Sequence, residues 1–137
     1  MLRTAPKPVM VRVPGPAGPA GPPGGVEVFP FSGTGTEYVR VGQHRVLLER
    51  PYDVESVRAT VGTAPLGTAL VVDVLADGVS IYANPAWRPT IAPTARSGIG
   101  GPTVALPAGV ALSVDVVAVG AVRPGSDLTV VVRLTPT

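Results

Sequence analysis

The sequence predicts an all-β fold: an antiparallel β-sandwich or jelly-roll-like domain, preceded by an extended N-terminal arm and a short collagen-like segment. Apolar residues make up 45% of the 137 residues but aromatic residues only 4%, so the apolar side chains are mostly Val, Ala and Leu. Val favours pleated, half-buried surfaces. The 17 glycines and 17 prolines suit short strands with many turns. No segment shows a sustained 3.6-residue apolar period with helix caps.

Short strands with Gly- and Pro-rich turns follow one another through the C-terminal part of the chain. The clearest alternation is Val57, Ala59 and Val61 with Arg58 and Thr60 between them, which is typical of a strand buried on one face. Ala76-Asp77-Gly78 is predicted to be a hairpin turn, and residues 89–102 are predicted to be loop because prolines and glycines interrupt any ladder. The predicted strands cover residues 26–31, 37–41, 45–48, 57–61, 70–75, 79–82, 112–116 and 128–134.

Charge and composition divide the chain into three zones: an attachment arm at 1–13, a collagen-like stem at 14–25 and a trimerisation and display domain at 26–137. Residues 1–25 carry Arg3, Lys7 and Arg12 and no acid, a charge of +3, whereas the rest has eight basic and nine acidic residues, a charge of −1. Three positive charges do not make a nucleic-acid interface, which needs a dense basic patch. We expect these three side chains to dock the arm on an acidic protein surface.

The stem contains glycine at every third position. Proline follows each of the first three glycines, so the segment consists of three Gly-X-Y triplets and one further glycine: Gly15, Gly18, Gly21 and Gly24. Only glycine fits at the crowded axis when three polyproline II chains wind together, so the pattern predicts a triple helix, the alternative being a stiff single-stranded spacer. At ~3.1 Å per residue the stem is only about 30 Å long, so the following domain has to trimerise first.

The sequence contains few residues that could do chemistry. Cysteine is absent, which excludes disulfides and thiolate metal sites, and His44 is the only histidine, which we expect on the surface or a strand edge. Asp73 and Asp115 could face each other as an acid pair, but their strand patterns favour solvent, a subunit seam or an Arg partner. Residues 98–101 are glycine-rich without the Lys-Ser/Thr of a phosphate-binding loop. We therefore expect no enzyme activity, catalytic residue, metal site or cofactor.

Residues 104–122 are almost entirely apolar, so a membrane span has to be considered. Pro107 and Gly109 interrupt the stretch, and Asp115 would cost about 2.5–3.5 kcal/mol near the middle of a bilayer. The stretch is therefore predicted to contain a strand and not to insert into a membrane. Residues 1–8 lack the continuous apolar run of a signal peptide, and none is expected.

Trp87 is the most interesting candidate for a surface contact, together with Tyr82 nearby. Exposed Trp and Tyr rings stack on sugar rings, so both residues are candidate contacts to a glycan on a host cell surface. The alternative is that the single Trp of the chain fills the core or a trimer seam.

The order and spacing of the strand signatures over roughly residues 50–134 are similar to a known family. The relevant segments are Val57–Pro65, Leu70–Val74, Asp77–Ile81, Arg88–Ile91, Leu112–Val116, Val119-Gly120 and Gly125–Val130. They resemble the C-terminal β-sandwich of minor tail, fibre and other virion proteins of tailed phages, especially phages of actinobacteria, in which it often follows collagen-like repeats.

The resemblance implies a homotrimeric, non-enzymatic component of the phage particle surface that is made in the host cytoplasm and contacts other capsid or tail proteins. Family members are often long fibres, whereas this chain is short, which favours a compact spike or a capsid decoration and leaves capsid and tail both open. A carbohydrate-binding module that contacts a host surface glycan is the alternative function. A cell-wall hydrolase is a third hypothesis, for which the sequence has no recognisable constellation of catalytic residues.

Overall fold

The structure is a computed structural model that describes residues 27–137. The predicted arm at 1–13 and stem at 14–25 lie outside the described residues. The described chain contains ten strands and one 3-10 turn, Pro85–Trp87, so the predicted all-β fold is confirmed. The strands are β1 Glu27–Ser32, β2 Arg40–Leu47, β3 Tyr52–Thr60, β4 Leu70–Ala76, β5 Val79–Ser80, β6 Thr90–Ile91, β7 Ser97–Ile99, β8 Ala105–Leu106, β9 Ala111–Ala118 and β10 Thr129–Pro136.

The strands form two antiparallel sheets of five strands each, which pack as a β-sandwich over one hydrophobic core. The first sheet has the order β1-β10-β3-β7, and β8 also pairs with β3; the second has the order β2-β9-β4-β5, and β6 also pairs with β4. The largest side chains that the sandwich buries completely come from both sheets, from the chain just after β2 and from the loop after β3: Leu48, Val57, Pro65, Leu70, Val72, Val74, Ile91, Leu112, Val116, Val130, Val132 and Leu134.

Period-two alternation explains why these segments are strands and which faces meet. In β10, Val130, Val132 and Leu134 are at most 1% exposed, while Arg133 between them points outward. Successive side chains of a strand point to opposite faces, so a strand with apolar residues at every second place buries them all on one side. Complete burial of one Val or Leu contributes about 1.5–3 kcal/mol, and the core sums many such contributions.

The pairing gives the sandwich two different ends. Glu27 pairs with Leu134, and the N–H of Thr137 donates to the carbonyl of Pro51 at 3.2 Å, so both ends of the described chain lie together at what we call the proximal end. The opposite, distal end carries the loops at 33–39, 61–69, 92–96 and 119–128.

The prediction of loop throughout residues 89–102 is wrong, because two short strands lie there. β6 pairs with β4 and β7 pairs with β3, and the two strands also lie against each other, which closes one side of the sandwich. A Cβ atom on Gly98 would overlap the carbonyl group of Thr90, so glycine is required for this approach. Strands of two and three residues are too short to show a period, and their pairing partners are distant in sequence.

The two strands predicted at 37–41 and 45–48 are one irregular strand, β2. Its register with β9 shifts twice, and Gly42 and His44 have φ angles of 68° and 56°. Asp115 stabilises the first irregularity, because its Oδ1 accepts the N–H of Gly42 at 2.7 Å. Register shifts of this kind bend and twist an edge strand.

Replacement of Gly98 tests the closed side of the sandwich. In Gly98→Ala the new methyl group meets the Thr90 backbone, so we expect the free energy of unfolding to fall by about 3 kcal/mol or more. Gly33→Ala is the matched control, because the nearest atom to its Cβ would be Arg40 Nη2 at 3.9 Å, and a change within about 0.5 kcal/mol is expected. Denaturant unfolding of both variants measures the difference, and equal midpoints would contradict the close backbone approach.

Candidate functional site

Seven of the nine site residues predicted from the sequence lie outside the described residues. They are the docking-arm residues Arg3, Lys7 and Arg12 and the stem glycines Gly15, Gly18, Gly21 and Gly24. Their roles stay predictions. The described residues place the other two, Trp87 and Tyr82, on the closed side of the sandwich, between β5 and β6.

Trp87 lies at the end of the 3-10 turn, on a support that holds its ring in place. Asn84 caps the turn, its Oδ1 accepting the N–H of Ala86 at 2.9 Å, and Pro85 occupies the first position. The N–H of Gly101 donates to the Trp87 carbonyl at 2.7 Å, and a Cβ on Gly101 would lie 2.9 Å from the Trp87 Cβ. The indole is 39% exposed, so part of it faces solvent as expected for a ligand contact.

Tyr82 is only 4% exposed, so the prediction that it offers a ring face to a glycan is wrong. Its phenol packs on Gly100, where a Cβ would lie 2.9 Å from Cζ, and its hydroxyl has no hydrogen-bond partner in the structure. Burial raises the pKa of Tyr82 well above its usual value, and the negative charge of Asp73 raises it further. The glycine-rich residues 98–101 thus make room for Thr90, Tyr82 and Trp87, a role that the sequence pattern did not reveal.

Asp73 and Asp115 lie directly opposite each other on β4 and β9, but separate donors engage them. Asp73 is 3% exposed and accepts the Ser80 hydroxyl at 2.7 Å and Arg88 Nε at 3.1 Å. The Arg-partner alternative is therefore confirmed for Asp73, while Asp115 accepts the backbone of β2. Both carboxylates hold neighbouring strands and loops in position, an arrangement that fits structural support better than acid–base chemistry.

The distal loops are bonded to one another. Ser126 forms isolated β-bridges with Thr36 and Thr63, and the N–H of Gly35 donates to Asp127 Oδ1 at 2.8 Å. Arg123 Nε donates to the carbonyl of Ala64 at 3.0 Å. These hydrogen bonds join the loops at 33–39, 61–69 and 119–128 into one surface, which we call the distal platform.

A buried ion pair fixes the first distal loop to the core. Glu37 is 3% exposed, its Oε1 lies 2.9 Å from Arg40 Nη2, and its Oε2 accepts the N–H of Leu128 at 3.4 Å. The guanidinium of Arg40 also lies 4.9 Å from the centroid of the Tyr38 ring, in a cation–π arrangement. The sequence interpretation missed this pair because it placed Glu37 in a strand, although the i,i+3 spacing of opposite charges was visible.

A narrow cleft lies between β1 and β2, on the side of the sandwich opposite the closed one. Phe31, Arg40, Val116 and Leu128 are among its lining residues, together with His44, whose ring is 6.3 Å from that of Phe31. Its free volume of about 10 Å³ has room for about one water molecule, so it does not fit a sugar. His44 is exposed on an edge strand, as expected from the sequence.

Large exposed apolar side chains concentrate along the side that contains this cleft. Of the eleven in the described chain, five belong to β1, β2 or the loop that joins them. We call this set the apolar edge; its members are Val28, Tyr38, Val39, Val41 and Leu47, which are 46–73% exposed.

Neither a metal centre nor a membrane span is found among residues 27–137. No group of three or more His, Cys, Asp or Glu side chains in this part could hold a metal ion. No helix in it has the length and apolar character that crossing a membrane requires. Compared with protein-family models, curated proteins and solved structures, the chain has no match.

Tyr82→Phe tests the buried hydroxyl. Above pH 10.0, the usual tyrosine pKa, unfolded Tyr82 loses its proton while the folded chain retains it, so the free energy of unfolding falls as pH rises, by up to about 1.4 kcal/mol per pH unit. The Tyr82→Phe variant lacks this contribution. Between pH 10 and 11 its free energy of unfolding, measured by denaturant unfolding, should therefore fall less than that of the wild type. At pH 7 it should keep its stability within about 1 kcal/mol, because the hydroxyl is unpaired.

Tyr52→Phe is the comparison variant for Tyr82→Phe, because it removes a tyrosine hydroxyl that is hydrogen-bonded. The Tyr52 hydroxyl donates to Glu27 Oε1 at 2.6 Å, so its removal should cost about 1.5–3 kcal/mol at pH 7. Identical alkaline slopes for wild type and Tyr82→Phe would contradict the raised pKa of Tyr82.

Proposed function

We propose that this chain is a non-enzymatic structural protein of a phage virion, a homotrimer that forms a short spike, fibre or decoration on the tail or capsid. One observation carries the proposal. Glu27, which follows the Gly-X-Y segment after two residues, lies at the proximal end of the sandwich, and the distal platform lies at the other end. A chain attached to a particle through its N-terminal segment would therefore present the distal platform outward.

Several contacts fix the start of β1 to the rest of the sandwich at the proximal end. All six residues of β1 pair with β10, so the strand that begins at Glu27 is part of the sheet from its first residue. The Tyr52 hydroxyl bonds the Glu27 carboxylate, and the rings of Phe29 and Tyr52 contact edge to face with centroids 6.3 Å apart. These contacts support the proposal, because a displayed domain has to stay firmly connected to the stem that precedes it.

The polar interior also supports a structural role. The buried carboxylates of Glu37 and Asp73 each accept an Arg side chain and a further donor, which leaves them engaged in holding loops. The cleft has room for about one water molecule and not for a substrate. A scaffold that presents a rigid surface needs these features, whereas a hydrolase needs polar groups that converge on a substrate-sized pocket.

The collagen-like pattern supports a trimer in particular. Glycine at every third position is the steric requirement of three chains on one axis. Three triplets are marginal alone, but three tethered stems have a high effective concentration once their domains assemble. The short stem and the sandwich would thus stabilise the same oligomer.

The oligomeric mass of the full chain tests the trimer. Native mass spectrometry should give three times the chain mass of 13.9 kDa, about 42 kDa. Gly21→Val should lower the melting temperature of the trimer, because a side chain at the axis blocks the triple helix. Ala20→Val is the matched control, since it adds a larger side chain at a Y position that faces outward, and it should have little effect.

The results of this experiment separate the stem from the domain. Loss of the trimer in Gly21→Val would assign assembly largely to the stem, and its retention would assign assembly to the domain. A wild-type chain that is a monomer at micromolar concentration would overturn the proposed trimer. Electron microscopy of gold-labelled particles tests the virion assignment, and particles without label would overturn it.

Glycan binding is a second candidate function, and the exposed indole of Trp87 favours it. Gly101 and the capped turn hold this ring at the surface, so a sugar could stack on it at little cost in side-chain entropy. The sugar would bind on the closed side of the sandwich and not in the cleft.

Trp87→Ala tests this second function. Loss of stacking should weaken binding to host cells or to purified surface glycan about tenfold. Val122→Ala is the control, because Val122 is 77% exposed but lies in a distal loop. Unchanged binding by Trp87→Ala, with an unchanged melting temperature, would remove the basis for the glycan site.

A further inference from the structure

We infer that the apolar edge is the seam along which three copies of this chain pack, with β1 closest to the three-fold axis. This inference rests on the proposed homotrimer and adds to it the surface that holds the domains together. The occupant of the apolar edge is therefore a second copy of the same chain.

The exposed side chains of the apolar edge extend from one end of the sandwich to the other. Val28 and Leu47 lie near the proximal end, and Tyr38 and Val39 lie near the distal end, so exposed apolar side chains occur along the full length of one side. A concentration of exposed apolar side chains on one side is typical of interaction sites in proteins. The remaining exposed apolar residues are distributed over other parts of the sandwich: Val79, Trp87, Ile99, Val104, Val117 and Val122.

The side of the sandwich that carries the apolar edge is open and yet poorly suited to sheet extension. β1 and β2 are the edge strands of their sheets, with the narrow cleft between them, whereas β6 and β7 close the opposite side. Pro30 in β1 and the two register shifts in β2 hinder the pairing of a further strand. A partner would therefore contact this side mainly through side chains, which are apolar here.

Few residues separate the predicted stem from the sandwich. Gly24 is the last glycine of the triplet pattern, and Glu27 is the first described residue of β1. Three residues span at most about 11 Å. Because glycines occupy the axis of a triple helix, each of the three Glu27 residues would start within about 11 Å of a common axis.

The symmetry of a trimer decides which surfaces then meet. A three-fold contact is heterologous, so one flank of each copy packs against a different flank of the next copy. The side chain of Val28 lies on the outer face of the first sheet, because the neighbouring Phe29 packs against the core. Leu47 lies on the outer face of the second sheet, between Val46 and Leu48, which contact the core. With β1 near the axis, Val28 of one copy would face Leu47 of the next.

Cysteine cross-linking tests the seam directly, because the natural chain contains no cysteine. The full-length double variant Val28→Cys/Leu47→Cys, treated with a short bismaleimide, should give covalent trimers on a denaturing gel. The control Val79→Cys/Val122→Cys has residues that are 70% and 77% exposed, and it should stay at the mass of one chain. Both variants should keep the wild-type circular dichroism spectrum, because all four side chains are exposed on the single sandwich and outside its core.

A second measurement asks whether the seam contributes to affinity. Val28→Glu/Leu47→Glu places charge in the proposed contact and should shift trimer dissociation, measured by dilution in native mass spectrometry, to at least tenfold higher concentration. Val79→Glu/Val122→Glu adds the same charge elsewhere and should leave dissociation unchanged.

The outcomes distinguish the seam from the trimer itself. A monomeric wild-type chain would overturn the proposed function and the seam with it. A wild-type trimer that gives no covalent trimer through residues 28 and 47 would overturn the seam alone. A trimer that is unaffected by Val28→Glu/Leu47→Glu but fails to join particles would also overturn it, and would assign the apolar edge to another virion protein.

Discussion

The close approach of β7 to β6 is the constraint on which the shape of this molecule depends. Gly98 lets the two backbones meet at the Thr90 carbonyl, and this contact joins the two sheets on one side. A sandwich that is closed on one side leaves β1 and β2 as edges on the other, where the cleft and five of the eleven large exposed apolar side chains of residues 27–137 are found. Closure on one side thus determines which side of the sandwich stays open.

The buried ion pairs of this domain hold loops in defined positions. Removing a carboxylate and a guanidinium from water is costly, and the attraction between them offsets this cost only with good hydrogen-bond geometry. Glu37 with Arg40 and Asp73 with Arg88 both lie at loop attachments, one beside the distal platform and one beside the support of Trp87. Each pair therefore specifies how a loop is placed, which a purely apolar contact would specify less well.

Attachment, assembly and display occupy separate surfaces in the proposed virion protein. The first strand begins at the proximal end; in the proposed trimer the apolar edge would face the neighbouring copies, and the distal platform and Trp87 would stay accessible. This separation would let one sandwich domain serve three proposed tasks on different surfaces. It also explains why the polar groups are engaged in structural bonds, since a display scaffold needs rigidity at its surface.

The sequence by itself determined the class of fold and the main strands. Period-two alternation is a local property, so β9, β10 and the second half of β3 were predictable from their own residues, as was the edge position of His44. Only the tertiary structure decided features that depend on distant partners. Gly100 makes room for the buried ring of Tyr82, Leu128 reaches the carboxylate of Glu37, and β6 and β7 exist because distant strands pair with them. Burial at the edge of a sandwich depends on which segments meet there, and no local pattern encodes that.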